Sequence, residues 1–266
     1  MSQDHDREST TAGAPRLGAA DLITLRGVTR VFYGGVRALG GIDLCVGEGE
    51  FLTIIGASGT GKTTLLRIMA GLDEPTAGQV RRDPAIARTG GTAMVFQDPA
   101  LMPWASAFDN VWLPLRIAGA SRADAHAQVM AALETVDLAA RRDALPAELS
   151  GGMRMRVSIA RALVTSPRLL LLDEPFAALD ELTRFRLNDV LRGLWQRKRL
   201  TAVLVTHSVY EAAYLSTRVA VISARHGHIS AEMAISGDIE RNQAFRESTA
   251  YFDCVRRLST LLGQAG

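Results

Sequence analysis

The stretch Gly56-Ala57-Ser58-Gly59-Thr60-Gly61-Lys62-Thr63-Thr64 carries the densest chemistry in the chain. It matches the pattern GxxxxGK[ST], which has meaning only where a strand runs into the loop and a helix leaves it. Both conditions are met. The apolar run 50–55 leads in, and 63–70 sets Leu65, Leu66, Ile68 and Met69 at helical spacing with Gly71 as a stop. Glycines let the backbone curl so that its N–H groups point inward, a nest for anionic oxygens. The helix N-terminus adds partial positive charge. Lys62 brings a full charge suited to β- and γ-phosphates, and the Thr63 hydroxyl suits Mg²⁺. The competing reading, a glycine-rich loop that happens to contain Gly-Lys-Thr, has no need of the flanking strand and helix.

A second site lies at 169–175, where four leucines end in Asp173-Glu174-Pro175. Ligands of open α/β sheets sit at the carboxyl ends of strands, so this run delivers carboxylates where a phosphate loop needs them. Asp173 is expected to hold Mg²⁺, through water, and Glu174 to act as general base on the attacking water. Acidic residues also follow strands as solvated loop starts, but paired with the phosphate loop these point to an ATPase or GTPase. A third feature is Leu149-Ser150-Gly151-Gly152-Met153. Ser150 is a good N-cap for the helix that follows, and two glycines expose backbone N–H groups at a positive helix end. One nucleotide needs one cradle, so a second phosphate-binding end asks for an explanation other than plain capping and close packing.

The elements that must position these residues follow from the hydrophobic pattern. β-like runs at 22–25, 42–46, 50–55 and 92–96 precede a helix-rich stretch at about 98–165, in which 123–136 and 153–164 are amphipathic. Continuous apolar runs at 169–172, 202–205 and 219–223 suit strands covered on both faces of a parallel sheet. Residues 182–195 read as a helix, and Phe252, Val255, Leu258 and Leu262 share a helix face. The expected fold is α/β, a mostly parallel core with a helical insert. The 266 residues suffice for a real core, with 47% hydrophobic and 22% charged residues as in ordinary globular proteins. A net charge of +2, from 30 basic and 28 acidic residues, gives no basic excess for nucleic acid. Cys45 and Cys254 are far apart and form neither a disulfide framework nor a zinc site, which suits a reduced compartment. The polar start MSQDHDREST lacks the apolar stretch of a secretory signal, and no window holds 18 consecutive apolar residues, so no membrane span is expected.

Taken together, the phosphate loop, the LSGGM sequence at 149–153 and the Asp173-Glu174 pair resemble the ATP-binding subunits of ABC transporters. The resemblance covers about 22–230 and implies a P-loop NTPase (RecA-like) core, an N-terminal antiparallel β portion and a helical signature subdomain. It implies a cassette over 21–230 with the helical subdomain at about 98–165; residues 1–20, polar and Ala/Gly-rich without periodicity, are expected as a flexible tail and 231–266 as a C-terminal helical extension. It further implies that two copies pair head to tail, Ser150, Gly151 and Gly152 of one closing on ATP held by the other. Gln97 resembles the Q-loop glutamine that contacts Mg²⁺ and water, Ala178-Leu179-Asp180 the D-loop at the dimer interface, and His207 the switch histidine beside Glu174. Phe32, or its neighbour Tyr33, matches the aromatic that stacks on adenine.

Ala100-Leu101-Met102-Pro103-Trp104 and Pro175–Asp180 are similar to the nitrate/sulfonate/taurine importer group, and Val205–Ala212 to members assigned to pyrimidine-precursor uptake. Met155 stands where that group has Gln, a change expected to affect interface detail. The implied partners are transmembrane permease subunits, a second copy and, indirectly, a periplasmic or extracellular solute-binding protein, with the chain peripheral at the cytoplasmic membrane face. The rival functions are a non-transport ABC switch protein and a P-loop small-molecule kinase.

Overall fold

The computed structural model describes residues 21–177, 179–235 and 240–266; the tail expected at 1–20 and Ala178 of the D-loop lie outside them. In chain order the elements are β1 (Asp21–Val31), β2 (Arg37–Gly47), β3 (Phe51–Ile55), α1 (Lys62–Ala70), β4 (Ala77–Arg82), α2 (Pro84–Ala87) and β5 (Thr92–Val95). There follow α3 (Ala107–Ile117), α4 (Arg122–Thr135) and α5 (Gly151–Leu163), then β6 (Leu169–Asp173), α6 (Glu181–Lys198) and β7 (Thr201–Thr206). The chain continues through α7 (Val209–Leu215), β8 (Arg218–Ile222), β9 (Ile229–Ala234), α8 (Gln243–Arg246) and α9 (Thr249–Gln264).

A six-stranded sheet has the order β5-β6-β7-β3-β8-β9, parallel except for β9. A separate three-stranded antiparallel sheet has the order β2-β1-β4. The leucine run of β6 is buried throughout, as are β3 and β7, and the period of two divides their side chains between two cores. Leu169, Leu171, Val203, Val205, Ala220, Ile222, Leu52 and Ile54 pack on the side of α1 and the antiparallel sheet. Their alternates Leu170, Leu172, Ala202, Leu204, Val219, Val221, Phe51 and Ile55 pack on the side of α3–α7 and α9.

Two strands escaped the hydrophobic pattern. β4 (AGQVRR) is polar and mostly exposed, and pairing with β1 rather than burial makes it a strand. β9 is an edge strand with alternating exposure, paired to β8. A strand therefore occupies the start of the stretch expected as a helical extension from 231, and helix begins at Gln243. Met155 needs a correction too. It is 3% exposed within the core of the helical layer, so the Gln-to-Met change is a matter of packing rather than of an interface.

Candidate nucleotide site

Strand parity aims the first carboxylate. Leu169 and Leu171 face α1, so Asp173, two positions on, faces it as well. There Thr63 Oγ1, in the first turn of α1, donates to Asp173 Oδ1 at 3.0 Å. Burial pushes the Asp173 carboxyl up, with the Thr63 hydroxyl pulling the other way. A hydroxyl and a carboxylate side by side are hard oxygen donors, the kind of set that holds Mg²⁺ together with phosphate oxygens and water. The residues present therefore fit that ion.

The loop ahead of α1 is braced from within. Gly61 has φ 88°, and a Cβ there would lie 2.3 Å from Ala38 O, so strand β2 presses directly on the loop. Thr60 Oγ1 donates to Ala57 O at 3.0 Å. Gly59, at φ 81°, faces open space where an added Cβ would meet nothing. Lys62 is only 5% exposed, and its ammonium donates to Gly56 O at 3.0 Å and Ala57 O at 2.8 Å. Burial pushes the Lys62 pKa down, the Glu174 and Asp173 carboxylates opposing it. Glu174 Oε1 lies 3.8 Å from Lys62 Nζ.

Glu174 itself sits just past β6 with φ 44°, a left-handed backbone that costs a non-glycine residue free energy. A hydrogen bond from its N–H to Val205 O at 2.9 Å holds it there. Its Oε2 meets His207 Nδ1 at 3.1 Å. The resulting constellation of cation, two carboxylates, hydroxyl and imidazole lies at the carboxyl ends of β3, β6 and β7, where an open α/β sheet places ligands. It can neutralise phosphate charge and accept a proton from a water molecule at Glu174.

The remaining expected residues lie outside this hydrogen-bonded cluster. Gln97 is exposed two residues after β5, and Ser58 is exposed on the loop. Thr64 is half-buried in α1. Phe32 is 42% exposed between β1 and β2 with the Arg30 guanidinium 5.1 Å from its ring centre, while Tyr33 is wholly exposed. Ser150 caps α5, its Oγ accepting from Met153 N at 3.3 Å. The two glycines after it differ. A Cβ on Gly152 would meet Thr183 Cγ2 at 3.0 Å, whereas one on Gly151 would find only Arg154 at 3.9 Å. Gly152 thus serves packing against α6, and Gly151 presents open backbone. Asp180 caps α6, accepting from Thr183 N at 2.9 Å, and these bonds hold its carboxyl below the usual range. Sequence reasoning passed over Glu211, which is buried beside the His207 turn; the Ser208-x-x-Glu211 spacing was the available signal.

The family described as ABC transporter matches residues 39–177. The aliphatic sulfonates import ATP-binding protein SsuB 2 of Pseudomonas syringae pv. syringae (strain B728a) is 49% identical over 218 residues, 82% of this chain and 75% of that one. The taurine import ATP-binding protein TauB of Sinorhizobium fredii (strain NBRC 101917 / NGR234) is 49% identical over 197 residues, 73% of this chain and 74% of that one. Among solved structures, the dimeric post-hydrolysis state of the ATP-binding cassette MJ0796 bound to ADP and Pi is similar at a TM-score of 0.74. It is 32% identical, covering 81% of this chain and 99% of that chain.

Proposed function

The chain belongs to the ABC transporter family as an ATP-binding cassette with ATPase function, and from that premise we propose that it drives uptake of a small sulfonate, of the taurine or aliphatic sulfonate class, through a separate permease. Membership in the family removes the small-molecule kinase from contention. The cargo class is supported by the similarity to sulfonate and taurine import proteins. Among the described residues no helix is long and apolar enough to cross a membrane; in this reading the permease is a partner chain, as the similarity to import ATP-binding proteins supports. The working location is the cytoplasmic membrane face, and a solute-binding protein delivers the cargo outside.

In this reading, residues 21–230 form the cassette and about 98–165 its helical part. The loop from Gly56 to Thr64 wraps the phosphates with its backbone N–H groups, and Lys62 turns from its own carbonyls to the β- and γ-phosphates. Thr63 and Asp173 hold Mg²⁺, with Gln97 joining them; the ion supplies charge neutralisation at the phosphates. Glu174 accepts the proton of the attacking water at its carboxylate, and His207 keeps that carboxylate and the γ-phosphate in register. Phe32 stacks on adenine. Ser150, Gly151 and Gly152 of a second copy close the far side, with Asp180 at the seam. The work is positioning and charge stabilisation, without a covalent step.

The observation that carries the reading is the convergence of Lys62, Thr63, Asp173, Glu174 and His207 through direct side-chain contacts. Uptake of labelled taurine and of an alkanesulfonate should be lost when the gene is deleted. It should return with the wild-type chain and not with Lys62→Ala. Uptake indifferent to the deletion, or nitrate uptake following the same pattern in place of sulfonate, overturns the cargo assignment.

A further inference from the structure

Glu211 is 4% exposed, an unusual place for a carboxylate near the start of a helix. It stands three residues after Ser208, the N-cap of α7. In an ordinary capping box the glutamate reaches back to the N–H of the capping residue. Here that N–H is already taken: Ser208 N donates to Thr206 Oγ1 at 3.1 Å. The same hydroxyl donates to Glu211 Oε2 at 2.6 Å, and Glu211 N donates to Ser208 Oγ at 3.3 Å. The residues on both sides of His207 are therefore tied to one residue, Thr206 through its hydroxyl and Ser208 through its Oγ.

The second carboxylate oxygen looks the other way. Glu211 Oε1 lies 3.7 Å from Arg184 Nε, an ion pair too long for a hydrogen bond. Arg184 is in the first turn of α6, and its Nη2 donates to Leu179 O at 3.0 Å. Burial pushes the Glu211 carboxyl up, and the Thr206 hydroxyl and the Arg184 charge oppose that. Capping alone does not require any of this, because a solvated glutamate caps as well. A buried carboxylate is costly unless it is paired and hydrogen-bonded.

We propose that Glu211, steadied by Arg184, is a positioning residue for ATP hydrolysis: it pins the turn that carries His207 and so fixes the imidazole against Glu174. The inference rests on the assignment of Glu174 as base and His207 as its partner. Glu211 does not itself touch the reacting atoms, so its effect passes through the His207 turn.

Steady-state ATPase assays on the full chain, with thermal unfolding and nucleotide binding measured alongside, test it. Glu211→Ala should lower kcat about 10- to 100-fold while leaving KM for ATP within about twofold, the signature of lost orientation rather than lost binding. Glu211→Gln should recover most of the rate, since its amide oxygen still accepts from Thr206. In a His207→Ala background, read by single turnover, Glu211→Ala should cost nothing further, because the two act as one unit. An equal loss in both backgrounds overturns the proposal, as does a raised KM with intact kcat. Should Glu211→Ala fail to fold, Thr206→Val removes the bridging hydroxyl instead. A folded Thr206→Val with full turnover refutes the relay. Intact turnover in His207→Ala overturns the site assignment and this inference together. An impaired His207→Ala beside an unimpaired Glu211→Ala overturns the inference alone.

Discussion

Single residues in the phosphate loop are constrained for different reasons, and substitution separates them. Gly61 combines a left-handed backbone with a neighbour, Ala38 O, that leaves no space for a Cβ. Gly59 has the left-handed backbone alone. Gly61→Ala should therefore cost about 1–3 kcal/mol of stability and sharply weaken nucleotide binding, because β2 must retreat to admit the methyl group. Gly59→Ala should cost only about 1–2 kcal/mol, the conformational penalty by itself. Denaturant midpoints of the two variants check the order; equal losses would mean that the contact with β2 is slack. The same loop shows why this part of the site was legible in sequence. Its chemistry is local, written in consecutive residues whose flanking strand and helix are each declared by apolar spacing. Glu211 shows only the capping spacing from Ser208, and Arg184 shows no mark, since a charged residue on a helix reads as solvated until the fold buries it.

The helix ends are the next level of constraint. Ser150 caps α5 through Met153 N, and this use is independent of any ligand. Ser150→Ala should cost about 1 kcal/mol in stability. Ser150→Arg should leave nucleotide binding to a single subunit intact and block hydrolysis that depends on two. Equilibrium binding of a fluorescent ATP analogue, compared with turnover at rising protein concentration, reads both. Parallel loss of binding and turnover in Ser150→Arg would make the turn structural only. At this scale the sequence was readable wherever burial is two-sided or periodic. The runs that became β3, β6, β7 and β8 were visible, as were α1 and α5. β4 and β9 were not, because Gln79, Arg81 and Glu232 face solvent and leave too few apolar positions for a strand pattern to show.

Across the whole molecule, the sheet separates two hydrophobic layers, and the C-terminal helix belongs to one of them. Tyr251, Val255 and Leu258 of α9 are buried in the same layer as Phe51 and Leu204, and burial pushes the Tyr251 hydroxyl up to about 12. Arg246 of α8 pairs with Asp189 of α6, and Tyr214 of α7 donates to the same carboxylate at 2.5 Å. The C-terminal segment therefore helps hold α6 and α7 together. Leu258→Ala should cost about 2–5 kcal/mol in global stability, as for other fully buried leucines, while ATP affinity of the folded protein stays unchanged. A denaturation curve that hardly moves would remove α9 from the core. A different consequence attaches to Glu174, whose peptide is wound the wrong way for its side chain. A library bred for heat tolerance should drift to glycine or asparagine there, shedding local strain and the proposed proton acceptor together. Hardiness and turnover thus compete at one address, and the most robust descendants of this chain would be idle ones.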